Sequence, residues 1–148
     1  MSAEAARVGD VLPVAAIEIS QALIDAYARL SGDFNTVHVD PRAGEAAGFG
    51  GTIAHGCIPV EPVFGAIRAW LGADQLPPGA TLRLRYRAPA RPGDRIRAHA
   101  HVAALDDATG TRRATVAFAC RNQHDATVID GECELALPDT PTDGGSRP

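Results

Sequence analysis

An apolar helical segment followed by four strand-like segments constrains the fold of this chain more than any other feature. Within residues 57–71, apolar side chains recur at three- and four-residue steps: Val60, Val63, Phe64, Ile67, Trp70 and Leu71. That spacing predicts a helix with a wide buried face. Four segments of strand character follow, separated by short turns: residues 81–88, 94–105, 111–120 and 126–137. This order predicts an α+β domain in which a mostly antiparallel sheet wraps around one long central helix.

The first thirty residues predict a strand and a capped helix. Residues 11–19 are rich in β-branched side chains and favour a strand. Ser20 follows, and its hydroxyl can cap the N-terminus of a helix. The apolar residues of that helix are predicted to share one face: Leu23, Ile24, Tyr27 and Leu30. Gly32 is predicted to end the helix in the left-handed conformation that glycine adopts readily.

Two proline positions bear on the next helices. Asp40 followed by Pro41 predicts a second, short helix over residues 42–47, with the aspartate as cap and the proline in the first turn. In the long apolar segment, Pro62 lacks an amide proton and crowds the preceding turn. We therefore expect either a distorted first turn or a regular helix that begins only near Val60.

Length and charge narrow the class of protein. The 148 residues suit one domain, which we place at residues 1–137. Residues 138–148 have almost nothing to bury and are predicted to be a disordered tail. Fourteen basic and eighteen acidic residues give a formal net charge of −4. This weakly acidic balance argues against nucleic-acid binding, which needs a basic surface to replace counterions.

Cysteine usage and the N-terminal sequence bear on the compartment. The three cysteines form no CxxC pair, and an odd count fits a disulfide framework poorly. The first ten residues lack the basic and then apolar pattern of a signal peptide. No stretch approaches the roughly 18 apolar residues that a transmembrane helix needs. We expect a cytoplasmic protein that does not associate with membranes.

The residues between the two main helical patterns carry the candidate chemistry. Asp33 and His38 lie five positions apart in what is predicted to be a loop, and His55-Gly56 precedes the long apolar segment. A carboxylate and an imidazole that converge can share a proton with water or substrate. A glycine amide at the start of a helix can receive developing negative charge. The segment is therefore the candidate active site.

The same residues carry a resemblance to a known family. Three runs of residues carry it: Tyr27-Ala28-x-x-Ser31-Gly32-Asp33-x-Asn35-x-x-His38-x-Asp40, Gly48-Phe49-Gly50-Gly51-x-Ile53-Ala54-His55-Gly56 and Ala88-Pro89-Ala90-x-Pro92-Gly93-Asp94. They resemble the MaoC-like (R)-specific enoyl-CoA hydratases, and the resemblance extends over about residues 11–137. It implies a hotdog fold, usually paired as a homodimer.

The resemblance also implies a reaction and the residues that perform it. The substrate would be a fatty acyl thioester of coenzyme A or acyl carrier protein. Asp33 and His38 match the catalytic pair, which adds water to a trans-2-enoyl thioester or removes it from the (R)-3-hydroxy form. Gly56 matches the glycine whose amide faces the thioester oxygen. This chemistry requires neither a metal nor an organic cofactor.

Three positions depart from the family pattern. Thr36 replaces a common proline, and Phe64 stands where well-studied hydratases carry a serine that helps to fix the geometry of the site. Glu61 is an unusual residue for a plain fatty-acyl tunnel, and we hypothesise that it favours a short or polar acyl chain.

Further candidates for substrate contact surround this segment. Three of them are close to the pair in sequence: Asn35, His55 and Cys57. Each also has a structural explanation: Asn35 as a hydrogen-bonding loop residue, His55 in a positioning role and Cys57 as a buried thiol. The arginine row consists of Arg83, Arg85 and Arg87. It is either a solvated strand face or a contact for the phosphates of the carrier.

Two other functions remain compatible with the sequence. A hotdog thioesterase would hydrolyse the thioester, and a non-catalytic subunit would pair with another hotdog chain and shape its pocket. His99 and His101 share a strand face and could share a metal, but no third ligand stands at a telling spacing.

Overall fold

Five strands form one antiparallel sheet in the order β1-β3-β4-β5-β2. The computed structural model describes residues 3–107 and 110–138. The strands are β1 (Ala15–Glu18), β2 (Thr81–Tyr86), β3 (Arg95–Asp106), β4 (Arg113–Arg121) and β5 (Thr127–Ala136). The helices are α1 (Gln21–Ser31), α2 (Thr36–Val39), α3 (Pro41–Ala46) and α4 (Glu61–Leu71), with a short 3₁₀ turn at Ala3–Ala5. The α+β class and the four C-terminal strands are confirmed.

Helix α4 packs on one face of this sheet and forms the centre of the core. Val63, Ala66 and Ile67 are fully buried on α4, and it contacts β1, β3 and β4. On β3, residues with buried and exposed side chains alternate, because successive side chains of a strand point to opposite faces. The face with buried residues meets α4, and the other face carries charged and polar side chains. This is the sheet wrapped around a central helix that defines a hotdog fold.

The prolines set where α4 begins. The helix starts at Glu61, so Pro62 falls in the first turn, where its missing amide proton costs no helical hydrogen bond. The prediction of a regular helix from near Val60 is confirmed. Gly72 ends the helix in the left-handed conformation, at φ 65°.

The caps of α1 are confirmed, but the prediction for its apolar face is partly wrong. The Ser20 hydroxyl accepts a hydrogen bond from the Leu23 amide at 3.1 Å, and Gly32 closes the helix with φ 76°. Ile24 and Ala28 form the buried face, whereas Leu30 is 85% exposed. Leu30 lies six positions after Ile24, which rotates it well away from the buried face of a 3.6-residue helix.

The first strand is shorter than predicted. β1 occupies only Ala15–Glu18, and an isolated bridge between Val11 and His101 continues the pairing upstream. Pro13 lies between the two paired regions. Because proline cannot donate a backbone hydrogen bond, it interrupts the ladder at this edge of the sheet.

The segment predicted as a loop contains a short helix. His38 lies on α2, which Asn35 caps by accepting a hydrogen bond from the Val37 amide at 3.3 Å. Asp40 caps α3 as predicted, and Pro41 occupies its first position. The tail prediction for residues 139–148 lies outside the described residues. Among the described residues, no helix has the length and apolar character needed to cross a membrane.

Candidate active site

His38 is oriented by a hydrogen bond from one side of its ring. Its Nδ1 lies 2.8 Å from the carbonyl oxygen of Ile53. Because a carbonyl oxygen can only accept, Nδ1 carries the proton and donates. The Ile53 amide in turn donates to the carbonyl of Val37 at 3.1 Å, which ties α2 to the segment before Gly56. In the neutral ring, Nε2 is left with a lone pair for a proton-transfer partner.

Asp33 and His38 are brought together as predicted. Each of Asp33, His38 and His55 offers a polar side-chain atom, and these atoms all lie within 4.8 Å of one another. Asp33 directly follows the glycine that ends α1, and its Oδ1 accepts a hydrogen bond from the Asn35 amide at 3.1 Å. The carboxylate is exposed, whereas His38 is half-buried. A water molecule or a substrate hydroxyl can therefore reach both groups.

His55 is a buried support for the pair. Its side chain is 3% exposed, and its ring stacks on that of His38 with centroids 3.9 Å apart and planes at 29°. Nε2 donates to the carbonyl oxygen of Asp33 at 2.9 Å. Nδ1 is buried, and no described residue bonds to it. The neutral ring with its proton on Nε2 is the form that leaves no buried donor without an acceptor.

The backbone around Gly56 differs from the prediction. Gly56 does not begin α4, because residues 56–60 form tight turns and the helix starts five residues later. The Ile58 amide donates to the carbonyl of His55 at 3.0 Å, and the Glu61 amide donates to that of Ile58 at 3.2 Å. Pro59 and Pro62 cannot supply the amide protons that would extend the helix upstream. The Gly56 amide therefore lacks the full effect of a helix dipole.

Gly56 packs closely against the half-exposed Tyr86 ring. A Cβ atom at residue 56 would lie 2.6 Å from the Tyr86 hydroxyl oxygen and 2.9 Å from Cζ of that ring. Within the described residues, the Gly56 amide has no hydrogen-bond acceptor. It remains available to a ligand oxygen.

A cavity of about 430 Å³ lies beside His38 and Gly56, while Asp33 and His55 are not among its lining residues. His38, Gly56 and Tyr86 lie on its surface. Its other walls are mainly apolar: Phe49, Ile53, Pro59, Ala88, Pro89 and Ala90. An apolar cavity with a few convergent polar groups is typical of a site for a small-molecule ligand.

The remaining candidates from the helical side do not line this cavity. Asn35 caps α2, and Phe64 packs against the core. Glu61 forms an ion pair with Arg68 at 2.9 Å. Cys57 is exposed, which differs from the expectation of a buried thiol.

The arginine row lies on the outer face of the sheet, beside a depression of about 450 Å³. Arg87 donates two hydrogen bonds to the Asp130 carboxylate, at 2.8 and 3.1 Å, and Arg83 pairs with Glu134 at 3.4 Å. Arg85 has no ion-pair partner among residues 3–107 and 110–138. Arg87 also lines the cavity that contains His38, so the depression and the cavity adjoin.

Two tyrosines belong to the site although the sequence did not single them out for it. Tyr27 packs against the His55 ring with centroids 4.7 Å apart. A hydrogen bond to the Cys57 sulfur raises the pKa of the Tyr27 phenol, and the Asp33 carboxylate adds to that rise. Burial raises the pKa of Tyr86, with a further contribution from Cys57. The only signal in the sequence was that Tyr27 opens the family-like run.

Similarity to known proteins agrees with the fold. The family model of the MaoC like domain matches residues 4–124. The chain is 35% identical over 124 residues to 3-hydroxybutyryl-CoA dehydratase of Methylorubrum extorquens, covering 82% of this chain and 74% of that protein. It is 33% identical over 136 residues to the mitochondrial 3-hydroxyacyl-[acyl-carrier-protein] dehydratase of Arabidopsis thaliana, covering 89% and 78%.

A solved structure of an (R)-hydratase from A. caviae, involved in PHA biosynthesis, is also similar. It superposes with a TM-score of 0.77 at 26% identity and covers 90% of this chain and 98% of that one. The fold and the site together define a hotdog-fold protein with an acid–imidazole centre. The chain belongs to the MaoC-like family.

Proposed function

We propose that this enzyme interconverts trans-2-enoyl and (R)-3-hydroxyacyl thioesters, with Asp33 and His38 as its acid–base pair. It is a hydro-lyase, in line with the hydratases and dehydratases to which it is similar. The observation that carries the residue assignment is the convergence of Asp33, His38 and His55 within 4.8 Å. His38 also faces the cavity that Gly56 lines.

The geometry supports hydration in which the pair takes up and returns the same number of protons. As water oxygen bonds to C3, the pair takes one proton from the water, and the pair then returns one proton to C2. The pair is unchanged after one turnover, and the reverse sequence dehydrates the hydroxyacyl form. Asp33 is assigned as the base for water, and the free Nε2 of His38 shares the transfers. Groups positioned in this way contribute about 10²–10⁴-fold each.

The Gly56 amide is proposed to stabilise the oxyanion that forms between these two steps. Adding oxygen at C3 pushes negative charge onto the thioester oxygen, and a donor aimed at that oxygen lowers the barrier. The amide has no acceptor among the described residues and lines the same cavity as His38. Because α4 starts only at Glu61, the stabilisation comes from the single hydrogen bond more than from a helix dipole.

Hydration kinetics with matched variants test the residue assignment. We expect Asp33→Asn and His38→Gln to reduce kcat for enoyl-CoA hydration by at least about 100-fold. Asp74→Asn, at an exposed carboxylate beyond the C-terminal end of α4, should keep the wild-type rate. Equal rates for wild type and Asp33→Asn would refute the assigned base.

The same assay separates the other two functions. Release of free thiol without loss of the enoyl chromophore would select the thioesterase. If the purified chain is inactive and gains activity when a second hotdog chain is added, the partner-subunit function is selected.

The carrier is proposed to be coenzyme A or acyl carrier protein, with its phosphates near the arginine row. The depression beside the row adjoins the cavity through Arg87, and Arg85 has a guanidinium free of ion pairs within the described residues. Reversing the charge of Arg83, Arg85 and Arg87 should raise KM for the carrier substrate. An unaltered KM would remove this role.

Glu61 is retained as a candidate determinant of the acyl chain, although its carboxylate pairs with Arg68. Glu61 does not line the cavity, so if it acts on the acyl chain, it does so from outside the cavity wall, and Glu61→Ala would then shift the preference toward longer chains. A series of enoyl-CoA chain lengths checks this, and an unchanged preference would exclude it.

A homodimer is proposed from surfaces that one chain leaves uncovered. Leu30, Phe34 and Tyr86 are large apolar residues with exposures of 85%, 57% and 57%. β2 is an edge strand, so one side of it presents unpaired backbone groups. A second copy would cover both, and sedimentation at micromolar concentration should give twice the mass of one chain.

A further inference from the structure

One polar side chain outside the family-like runs joins three segments around His38. Gln21 is the first residue of α1. Its Nε2 donates to the carbonyl oxygen of His38 at 2.9 Å and to Oδ1 of Asp25 at 2.8 Å. Its Oε1 accepts a hydrogen bond from the Thr52 hydroxyl at 2.5 Å. The primary amide thus uses both donors and its acceptor, which sets its orientation.

These bonds hold His38 from the backbone side while a second set holds its ring. The ring donates from Nδ1 to Ile53, the residue that follows Thr52. Thr52 is 6% exposed, so its hydroxyl has little access to water and depends on Gln21 for a partner. Gln21 therefore connects the main-chain position of His38 to the segment that orients the imidazole.

We propose that Gln21 is a positioning residue for His38, acting through the His38 carbonyl and Thr52. The inference rests on the proposed acid–base role of His38. Gln21 does not itself line the cavity, so it acts by holding α2 and residues 52–53 in register. An active-site group has to be held within about 0.5 Å of its productive position. A shift of about 1 Å can cost about 100-fold in rate.

A purely structural role for Gln21 predicts a different result. If Gln21 only tied α1 to the rest of the domain, its loss would lower the melting temperature and leave His38 chemistry unchanged. A positioning role predicts a fall in kcat with little change in KM, because His38 acts in the chemical step and not in substrate binding. It also predicts a change in the His38 ring itself.

The replacement Gln21→Glu is the most informative variant because it is isosteric and titrates. The ionised side chain cannot donate, and it would face the His38 carbonyl and the Asp25 carboxylate. The protonated side chain regains one donor while its carbonyl still accepts from Thr52. We expect kcat at neutral pH to fall about 10- to 100-fold relative to wild type. The ratio to wild type should recover as the pH falls through the carboxyl titration.

Two further pairs of variants complete the test. Gln21→Leu, which cannot donate at any pH, should show the loss without the recovery. Thr52→Val should lower kcat, whereas Thr52→Ser should keep it, since serine retains the hydroxyl. Asp25→Asn preserves an acceptor oxygen for Gln21 and should remain near the wild-type rate.

A readout that does not depend on activity separates this inference from the proposed function. In nitrogen-15 spectra of the wild-type protein, the Nδ1 proton of His38 should be protected by its bond to Ile53. In Gln21→Leu it should exchange faster with solvent. Unchanged kcat, or an unchanged His38 signal with only a lower melting temperature, would overturn the positioning role. An altered His38 signal in Gln21→Leu combined with a fully active Asp33→Asn would instead uphold the positioning role of Gln21 and refute the acid–base assignment.

Discussion

The imidazole ring of His55 stacks on that of His38, with centroids 3.9 Å apart and planes inclined by 29°. One ring is buried and bonded to the backbone of Asp33, while the other faces the cavity. Each ring commits one nitrogen to a backbone carbonyl, so the nitrogen available for chemistry is set by the fold. The stack, together with the bond from His55 to the Asp33 carbonyl, explains why the acid and the imidazole of the proposed pair lie close although four residues separate them in sequence.

The contact between Gly56 and Tyr86 predicts an activity loss that a second mutation restores. We expect Gly56→Ala to reduce kcat by about 10-fold, because its Cβ would lie 2.6 Å from the Tyr86 oxygen and would push that ring, which lines the cavity, out of position. Removing the ring in Gly56→Ala with Tyr86→Ala should recover part of this loss. Comparison of the four rates in a double-mutant cycle provides the measurement.

Tyr86→Ala alone serves as the control, because it removes a cavity wall without moving the amide. If the two losses simply add, the Tyr86 contact is not the reason for the glycine.

The exposure of Cys57 predicts a single site of alkylation in the native protein. Cys57 is exposed, whereas Cys120 and Cys133 are both fully buried. Burial also raises the pKa of the Cys120 and Cys133 thiols, which keeps them in the unreactive protonated form. Treatment with iodoacetamide should add one label and abolish hydration, since the adduct adjoins Gly56. Intact-mass spectrometry and the hydration rate check both points.

Cys57→Ser should take up no label and keep its activity after treatment. Two or three labels on the folded protein would contradict the burial of the other thiols.

Two helical glycines with different surroundings predict stability effects of different size. A Cβ at Gly44 in α3 would overlap the carbonyl oxygen of Gly51, whereas at Gly65 in α4 it would meet only the Ala15 Cβ at 3.2 Å. We expect Gly44→Ala to destabilise the domain by about 2 kcal/mol or more, since overpacking against backbone forces a shift. Gly65→Ala gains helix propensity of about 1 kcal/mol and should change stability little. Urea unfolding of both variants gives the comparison.

Because alanine favours a helix equally at both positions, a similar effect at the two sites would rule out the steric explanation.

The buried thiol of Cys120 predicts a loss of stability in alkali. Burial raises its pKa from 9.0 to about 12. Above pH 9 the unfolded chain ionises at this residue while the folded chain does not, so the unfolded state gains stability. The free energy of unfolding should fall as the pH rises from about 9 to 12, by on the order of 4 kcal/mol in total. Cys120→Ala should show a shallower decline, and parallel curves would refute the contribution of this thiol.

Much of the fold could be predicted because its signals are local. Ser20 and Gly32 bound α1 through hydrogen bonds that span only a few residues. The apolar spacing in residues 57–71 follows helical geometry, and the placement of Pro62 followed from its missing amide proton. Asp33 and His38 were identified from their residue types and spacing and from the resemblance. These features depend on neighbours along the chain.

The predictions failed where contacts between distant segments decide the outcome. Leu30 fits a helical repeat but is exposed, because the local sequence does not decide which side of α1 packs against the rest of the domain. The turns at residues 56–60, which separate Gly56 from α4, arise from backbone bonds and two prolines acting together. Gln21 depends on His38, which lies 17 positions away, and Thr52 depends on Gln21, 31 positions away. Tyr86 contacts Gly56, 30 positions away.

The amino-acid sequence by itself determined the helix caps, the alternation of buried and exposed side chains along the strands, and the identity of the acid and the imidazole. Each of these follows from the chemistry of a few adjacent residues. Only the tertiary structure decided which nitrogen of each histidine is free, how the Gly56 amide is presented and which side chains hold His38 in place. Those properties are set by hydrogen bonds and packing between segments that meet only after α1, α2 and the sheet have assembled around α4.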